Sequence, residues 1–319
     1  RNTYFDEEKI KSLFASDLSL YPESRLFLQA CDVSCDNSVR ECIKNVLNEH
    51  GRIDELYLLA ANSHVGESFK NKELSIQTNG QSAYYFLENV KNLTPKTKTY
   101  FAATSELFGG IEDGRFNEEC IWNPRSPYSI GKALGARWVN FYRDSVDSNM
   151  FCCYGILFNH SNTYRSKDFV VRKITNTAAK IAIGKSSELK LGHLHWARDE
   201  HWSDFGCEAM WKMLQLERPE NFVIGNGVAH WGEEYLELAF GYFNLDWKKY
   251  VKFDDSLKRP NEVVRLVSDS KKAQEKLGWI PNRLTFKKHI EMMCKYDLEL
   301  ESNGITVRPN VFIEDLQNN

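Results

Sequence analysis

Short apolar runs rich in β-formers alternate with longer amphipathic stretches through the first half of the chain. That is the pattern of strands and crossover helices in a parallel sheet. Residues 25–31 (RLFLQAC) read as a strand ending at Asp32. Val39, Cys42, Ile43, Val46 and Leu47 then fall at helical spacing over 38–50, and Gly51 stands where a helix stops. A second strand is expected at 56–61 (LYLLAA), a helix at 78–90, a third strand at 99–103 (TYFAA) and a helix at 127–142. The run 150–158 (MFCCYGILF) is a fourth strand. Continuous apolar runs of this length suit strands covered on both faces, so the pattern predicts a doubly wound α/β fold with a parallel sheet.

Beyond about residue 160 the rhythm shortens, and Gly, Trp and charged residues spread through smaller elements. Residues 221–224 (NFVI) are expected to return as a strand to the first sheet, with helices at 270–277, stopped by Gly278, and at 286–298. The division that follows is a sheet domain over 1–160, joined by a returning strand near 221–227, and a smaller α+β domain over 161–319.

Composition narrows the class. The 319 residues carry 41 Lys and Arg against 44 Asp and Glu, a net charge of −3, with both signs interspersed. Nucleic acid is therefore not the expected partner. The longest apolar runs are about half the ~18 residues of a membrane span and no signal peptide opens the chain, so the reading is a soluble cytoplasmic protein. Eight cysteines without a CxxC pair read as reduced, mostly buried thiols. His193, His195 and His201 have no accompanying ligand spacing, and no metal is expected.

Tyr128 and Lys132 stand four apart on the expected helix 127–142, on one face and one turn apart. A lysine so placed can lower the pKa of the phenol and make it a proton-transfer group. Thr104, Ser105 and Glu106 follow the third strand, at the sheet edge where open α/β folds bind ligands. A hydroxyl, a carboxylate, a phenol and an ammonium would converge there. That set suits oxidation of a secondary alcohol by a nicotinamide, with Glu106 able to take a proton acidified by the new carbonyl.

Eight ordered segments carry a family resemblance: SHVGESF (63–69), TSELFG (104–109), PRSPYSIGK (124–132), GILFNH (155–160), VRKIT (171–175), ENFVIGNG (220–227), RPNEV (259–263) and KLGWIP (276–281). From about residue 25 to 298 the chain resembles the GDP-mannose 4,6-dehydratases of the extended short-chain dehydrogenase/reductase family. The resemblance implies a Rossmann-type sheet, NADP as cofactor, a GDP-linked sugar as substrate and assembly as a homodimer or homotetramer. It implies that Thr104 holds the substrate hydroxyl, that Glu106 removes the C5 proton and protonates the departing water, and that Tyr128 is the base for oxidation at C4. Lys132 would touch the nicotinamide ribose. Asp32 and Val33 would meet the adenine, Ala60 and Ala61 would pass beneath the cofactor, Ser63 would lie between cofactor and sugar, and Arg1 would approach the 2′-phosphate. Asn159, Arg172, Lys173, Arg198, Arg259 and Glu262 would surround the nucleotide sugar.

The pattern departs from the family in places. No GxxGxxG occurs, and the resemblance implies a β-α-β opening of about 30 residues ahead of Arg1. RDEHWSDFG (198–206) stands where the family reads approximately RDWGHAKDY, and Thr163 and Tyr164 stand where it has Pro and Arg. Leu58 replaces an Asn. These positions flank substrate or nicotinamide. The alternatives are therefore another GDP sugar such as a heptose, an epimerase or 4-oxidoreductase, or a catalytically silent relative serving as a binding subunit.

Overall fold

The computed structural model describes residues 27–109, 114–145, 149–258 and 260–303. Helix α1 (Asp36–His50) ends at Gly51, whose φ of 77° is the left-handed conformation that lets its N–H close on the Leu47 carbonyl. Strand β1 (Glu55–Leu58) follows. After it come two short helical turns, α2 (Val65–Ser68) and α3 (Lys72–Ile76), a π-helical turn at Gln77–Gln81 and helix α4 (Ser82–Leu93). Strand β2 (Lys98–Ala102), helix α5 (Pro127–Asp144) and strand β3 (Cys152–Leu157) complete the first half. All six β3 residues are buried, as its unbroken apolar sequence requires of a strand covered on both faces.

After β3 the chain passes through the buried Phe158 straight into β4 (Asn159–Ser161). Next come α6 (Val170–Ala182), β5 (Leu189–Leu191), β6 (Ala197–Trp202), α7 (Ser203–Gln215), β7 (Phe222–Ile224), β8 (Ala229–Trp231) and α8 (Gly232–Tyr242). The last elements are β9 (Val251–Phe253), β10 (Arg265–Leu266), α9 (Lys271–Leu277) and α10 (Phe286–Asn303).

The main sheet has the order β1-β2-β3-β7, and every pair in it is parallel. Alternate residues of its strands enter two cores, as a doubly wound sheet demands. Phe101, Cys152, Tyr154 and Ile156 face α1, α4 and α5, with Val39, Leu87 and Val139. Tyr100, Cys153 and Leu157 face the other way, onto Ala209 and Met213 of α7. In a second sheet, β6 pairs with β4 and β10 in parallel and with β8 antiparallel, and β5 and β9 form a separate parallel pair.

The returning strand expected at 221–224 is β7, in register with β3 from Gly155↔Phe222 to Leu157↔Ile224. The strand expected at 25–31 is not formed over 27–31, the described part. Among the described residues no strand pairs with this segment, and an extended run without a ladder is not a strand. The strand expected at 56–61 stops at Leu58, because the Leu59 N–H turns back to the Tyr57 carbonyl. The helix expected at 78–90 opens with the π-helical turn instead. There Gly80 lies so close to α5 that an added Cβ would come within 2.6 Å of the Gly131 carbonyl oxygen.

Candidate active site

Three elements end at one place. Strand β2 delivers Thr104, which caps the single 3₁₀ turn Ser105–Phe108 by accepting from the Glu106 N–H at 3.3 Å. Helix α5 starts beside it. Ser126 and Ser129 form a reciprocal capping box, and Pro127 occupies the first turn, where its missing N–H costs nothing. That fixed start sets Tyr128 in the opening turn and Lys132 one turn later. The loop after β4 supplies Arg165.

The Tyr128 phenol is hydrogen-bonded to the Thr104 side chain and lies within electrostatic reach of Glu106 and Arg165. Burial pushes its pKa up to about 12, while the Thr104 bond and the Arg165 charge pull down. The Lys132 ammonium is not among the charges acting on that phenol, contrary to the expected tuning. Its buried Nζ donates to the Ala102 carbonyl at 2.7 Å and stands over the Phe101 ring, and desolvation brings it down to about 8. The cation that favours the Tyr128 phenolate is Arg165, because the Lys132 ammonium is turned onto the end of β2.

Glu106 lines a narrow cleft together with Val65, Phe69, Arg125, Ser126, Pro260, Asn261, Glu262 and Val263. Glu262 therefore shares the cleft of Glu106, and behind it Arg198 donates to Glu262 Oε1 at 2.9 Å. The remaining Arg198 contacts are the carbonyls of Ala197 and Val264.

Other expected site residues lie elsewhere. The Arg172 guanidinium is buried against Asp297, with Nε···Oδ distances of 2.9 and 3.0 Å, and it also donates to the Thr163 and Arg165 carbonyls. It anchors the loop that carries Arg165 and does not join the cleft. Lys173, half-buried on α6, faces Asp254. Asn159 is half-buried at the start of β4, opposite Glu200. Asp32 is exposed and binds Ser34 through its Oδ1, and Val33 sits in the same turn. Ala60 and Ser63 are exposed and Ala61 half-buried where β1 gives way to loop. Arg1 and Arg259 lie outside the described residues. His193, His195 and His201 do not converge: His195 stacks on Trp231, and His201 is buried between His160 and Trp279.

A model of the GDP-mannose 4,6 dehydratase family matches residues 2–293. The chain is 35% identical over 304 residues to GDP-mannose 4,6 dehydratase 2 of Arabidopsis thaliana, covering 94% of this chain and 79% of that protein. The chain belongs to the GDP-mannose 4,6-dehydratase family. It is 37% identical over 281 residues to the human GDP-mannose 4,6 dehydratase, covering 81% of this chain and 74% of that protein. Among solved structures its fold is similar to DesIV, a dTDP-glucose 4,6-dehydratase from Streptomyces venezuelae with NAD and TYD bound. The TM-score is 0.77 at 19% identity, over 92% of this chain and 86% of that one. It is also similar to RMD from Pseudomonas aeruginosa complexed with NADPH, with a TM-score of 0.74 at 17% identity, over 85% and 87% of the two chains.

For a GDP-mannose 4,6-dehydratase family member, the sequence alone points neither to Arg165 near the phenol nor to the burial of Glu200 on β6. Arg165 lies in the loop 159–169, where it follows no helical spacing with the site, and only the fold brings it to Tyr128. Glu200 sits within the altered segment 198–206 as one acid among several charged residues, and its burial was invisible.

Proposed function

We propose that this chain is a nucleotide-sugar hydro-lyase that converts GDP-mannose to GDP-4-keto-6-deoxymannose, with NADP as its resident cofactor. The observation that carries the reading is the cluster of Thr104, Tyr128 and Glu106 at the carboxyl end of β2, with the Tyr128 phenol bonded to Thr104 and within reach of the Glu106 charge. A phenol bonded to a hydroxyl and faced by a cation suits removal of a proton from a sugar alcohol. A carboxylate within electrostatic reach of that phenol suits removal of a neighbouring carbon-bound proton.

The residues present fit a nicotinamide dinucleotide. The Lys132 ammonium gives one donor to Ala102, and its remaining donors suit ribose hydroxyls. Ala60 and Ser63 leave a small-residue ledge at the sheet edge. A nicotinamide bound there would supply reversible hydride chemistry, so no external reductant would be consumed. Tyr128 takes the C4 hydroxyl proton while Thr104 orients that hydroxyl. Glu106 then takes the C5 proton and passes it to the departing C6 hydroxyl, which leaves as water; the C5–H bond of the product re-forms with one further proton, balancing the one that Tyr128 took from the C4 hydroxyl. Asp32 and Val33 would adjoin the adenine. Arg198, through its pair with Glu262, with Lys173, Asn159 and Arg259, would serve the nucleotide diphosphate and its sugar, while Arg172 supports them from the core. A homodimer or homotetramer is the proposed assembly.

The test is incubation of purified protein with GDP-mannose without added reductant, with NMR of the product. The expected product is the 4-keto-6-deoxy sugar. No product from a panel of GDP-hexoses and GDP-heptoses would overturn the reading. A 4-epimer in its place would assign the epimerase alternative. Glu106→Gln should reduce dehydration at least about a hundredfold while leaving C4 oxidation measurable; equal loss of both would remove the role given to Glu106.

A further inference from the structure

Two thiols meet beside α1. Residues 27–32 run along that helix in the opposite direction and are pinned to it at both ends. The Phe27 ring packs on the ring of His50, in the last turn, with centroids 4.5 Å apart. The Asp32 N–H donates to the Ser38 hydroxyl, in the first turn, at 2.9 Å. The two lengths agree, since extended chain from Phe27 to Asp32 covers about 16 Å and α1 rises about 18 Å from Ser38 to His50. Cys31, about 13 Å along the segment from Phe27, therefore comes level with positions 41–42 of the helix.

Cys42 stands one turn beyond Ser38 on the same face. The Cys31 thiol is hydrogen-bonded to Cys42 and to the Ser38 hydroxyl. Both cysteines are free and half-buried, and Cys31 packs on the core to which Val39 and Ile43 belong. Cys35, the N-cap of α1, is exposed.

We propose that Cys31 and Cys42 are a redox-active dithiol that reacts with low-molecular-weight disulfides, and that its closure fastens the turn of Asp32 and Val33 to α1. The inference makes no use of the proposed reaction. Burial, with Cys42 and the Asp32 carboxylate, pushes the Cys31 thiol up to about 11, so it stays protonated and Cys42 makes the first attack. The Cys42 thiolate displaces one thiol from the added disulfide and forms a mixed disulfide. Cys31 then gives up its proton and attacks the Cys42 sulfur, and the second thiol leaves. Two S–H bonds of the chain are exchanged for one S–S bond, the two electrons and two protons passing to the added disulfide. A fold that already holds the sulfurs together loses little freedom on closure, whereas the unfolded chain loses much.

The experiment equilibrates the purified Cys35→Ser variant with mixtures of oxidised and reduced glutathione, quenches with acid, alkylates the free thiols and maps the tryptic peptides. Cys35 is replaced because it shares the peptide 26–40 with Cys31, whereas Cys42 falls in 41–44. The expected product is the linked pair of those peptides, lighter by two hydrogens than the reduced pair and removed by dithiothreitol. Its equilibrium constant against glutathione should be at least about tenfold larger in the native chain than in denaturant, and oxidation should raise the folding equilibrium constant by the same factor. Recovery of Cys31 and Cys42 as alkylated thiols or separate glutathione adducts at the most oxidising ratio would overturn the proposal. So would a linkage of either to another cysteine, or a constant no larger than in denaturant. If Cys35→Ser fails to fold, cleavage of the unsubstituted chain before Asp32 and Asp36 separates Cys31 from Cys35 and gives the same decision. Neither sugar nor dinucleotide is added, so absence of GDP-mannose turnover would remove the reading above and leave this result standing.

Discussion

At the scale of single residues the site is defined by where charge is kept out of water. Burial pushes Glu200 up to about 7, with Ser161, Arg165 and Tyr235 pulling the other way. A carboxyl raised in the folded state contributes stability that is complete below its ordinary value and is lost as pH climbs through the folded value. The unfolding free energy of Glu200→Gln, neutral throughout, should therefore gain on that of the unchanged chain between about pH 4.5 and 7. The expected gain is about 1 kcal/mol per pH unit at most, levelling off above. Denaturant titrations at several pH values check this, and a difference that does not vary with pH would contradict it. The neighbouring His201 shows the cost accepted in the same segment, since both ring nitrogens are buried without a partner among the described residues. Its Nε2 lies 3.0 Å from where a Cβ on Gly206 would stand, so the larger residue at 201 and the absent side chain at 206 occupy one space.

Among the elements, α5 matters most because it carries Tyr128 and Lys132 on one face. An added Cβ on Gly131 would come within 3.0 Å of the Ser75 carbonyl oxygen, and one on Gly135 within 2.3 Å of the Phe101 ring. Gly131→Val should accordingly cost about 1–3 kcal/mol through overpacking, and it should lower C4 oxidation by displacing the phenol. Thermal unfolding and single-turnover kinetics would measure the two effects, and full stability with full activity would show that the helix can retreat.

Most elements of the first half were legible in the apolar rhythm, because strands buried on both faces and helices with one apolar stripe leave strong periodic signals. The short strands of the second sheet were not. β4, β8 and β10 have two or three residues each, too few to show a period, and their pairing is decided by partners distant in sequence. Thr104, Glu106 and Tyr128 could be placed because they follow long, well-marked elements. The roles of Arg165 and Arg172 could not, since one cation faces the phenol and the other is sealed against Asp297, and both read alike as loop or helix arginines.

For the molecule as a whole, the Arg172–Asp297 pair joins α6 to α10 across 125 positions of sequence, and Thr175 and Asn176 complete the bonding of Asp297. Arg172→Ala would leave that carboxylate buried without its cation, and should cost about 3–5 kcal/mol in a denaturant titration. Arg172→Met combined with Asp297→Leu should recover most of the loss, because an apolar pair of similar volume removes both burial penalties. A single variant as stable as the unchanged chain would show that water reaches Asp297.

The passage from β3 to β4 through one buried residue has a mechanical consequence. Phe158 bonds through its N–H to the Ile224 carbonyl, so the first sheet is tied down up to the residue at which the second begins. A joint of that kind transmits torque instead of absorbing it, and the two sheets must tilt together if they tilt at all. Gripping a sugar then falls to the loops and side chains around the cleft, and substrate preference becomes a matter of how those loops are furnished, with the sheet frame serving as a fixed anvil.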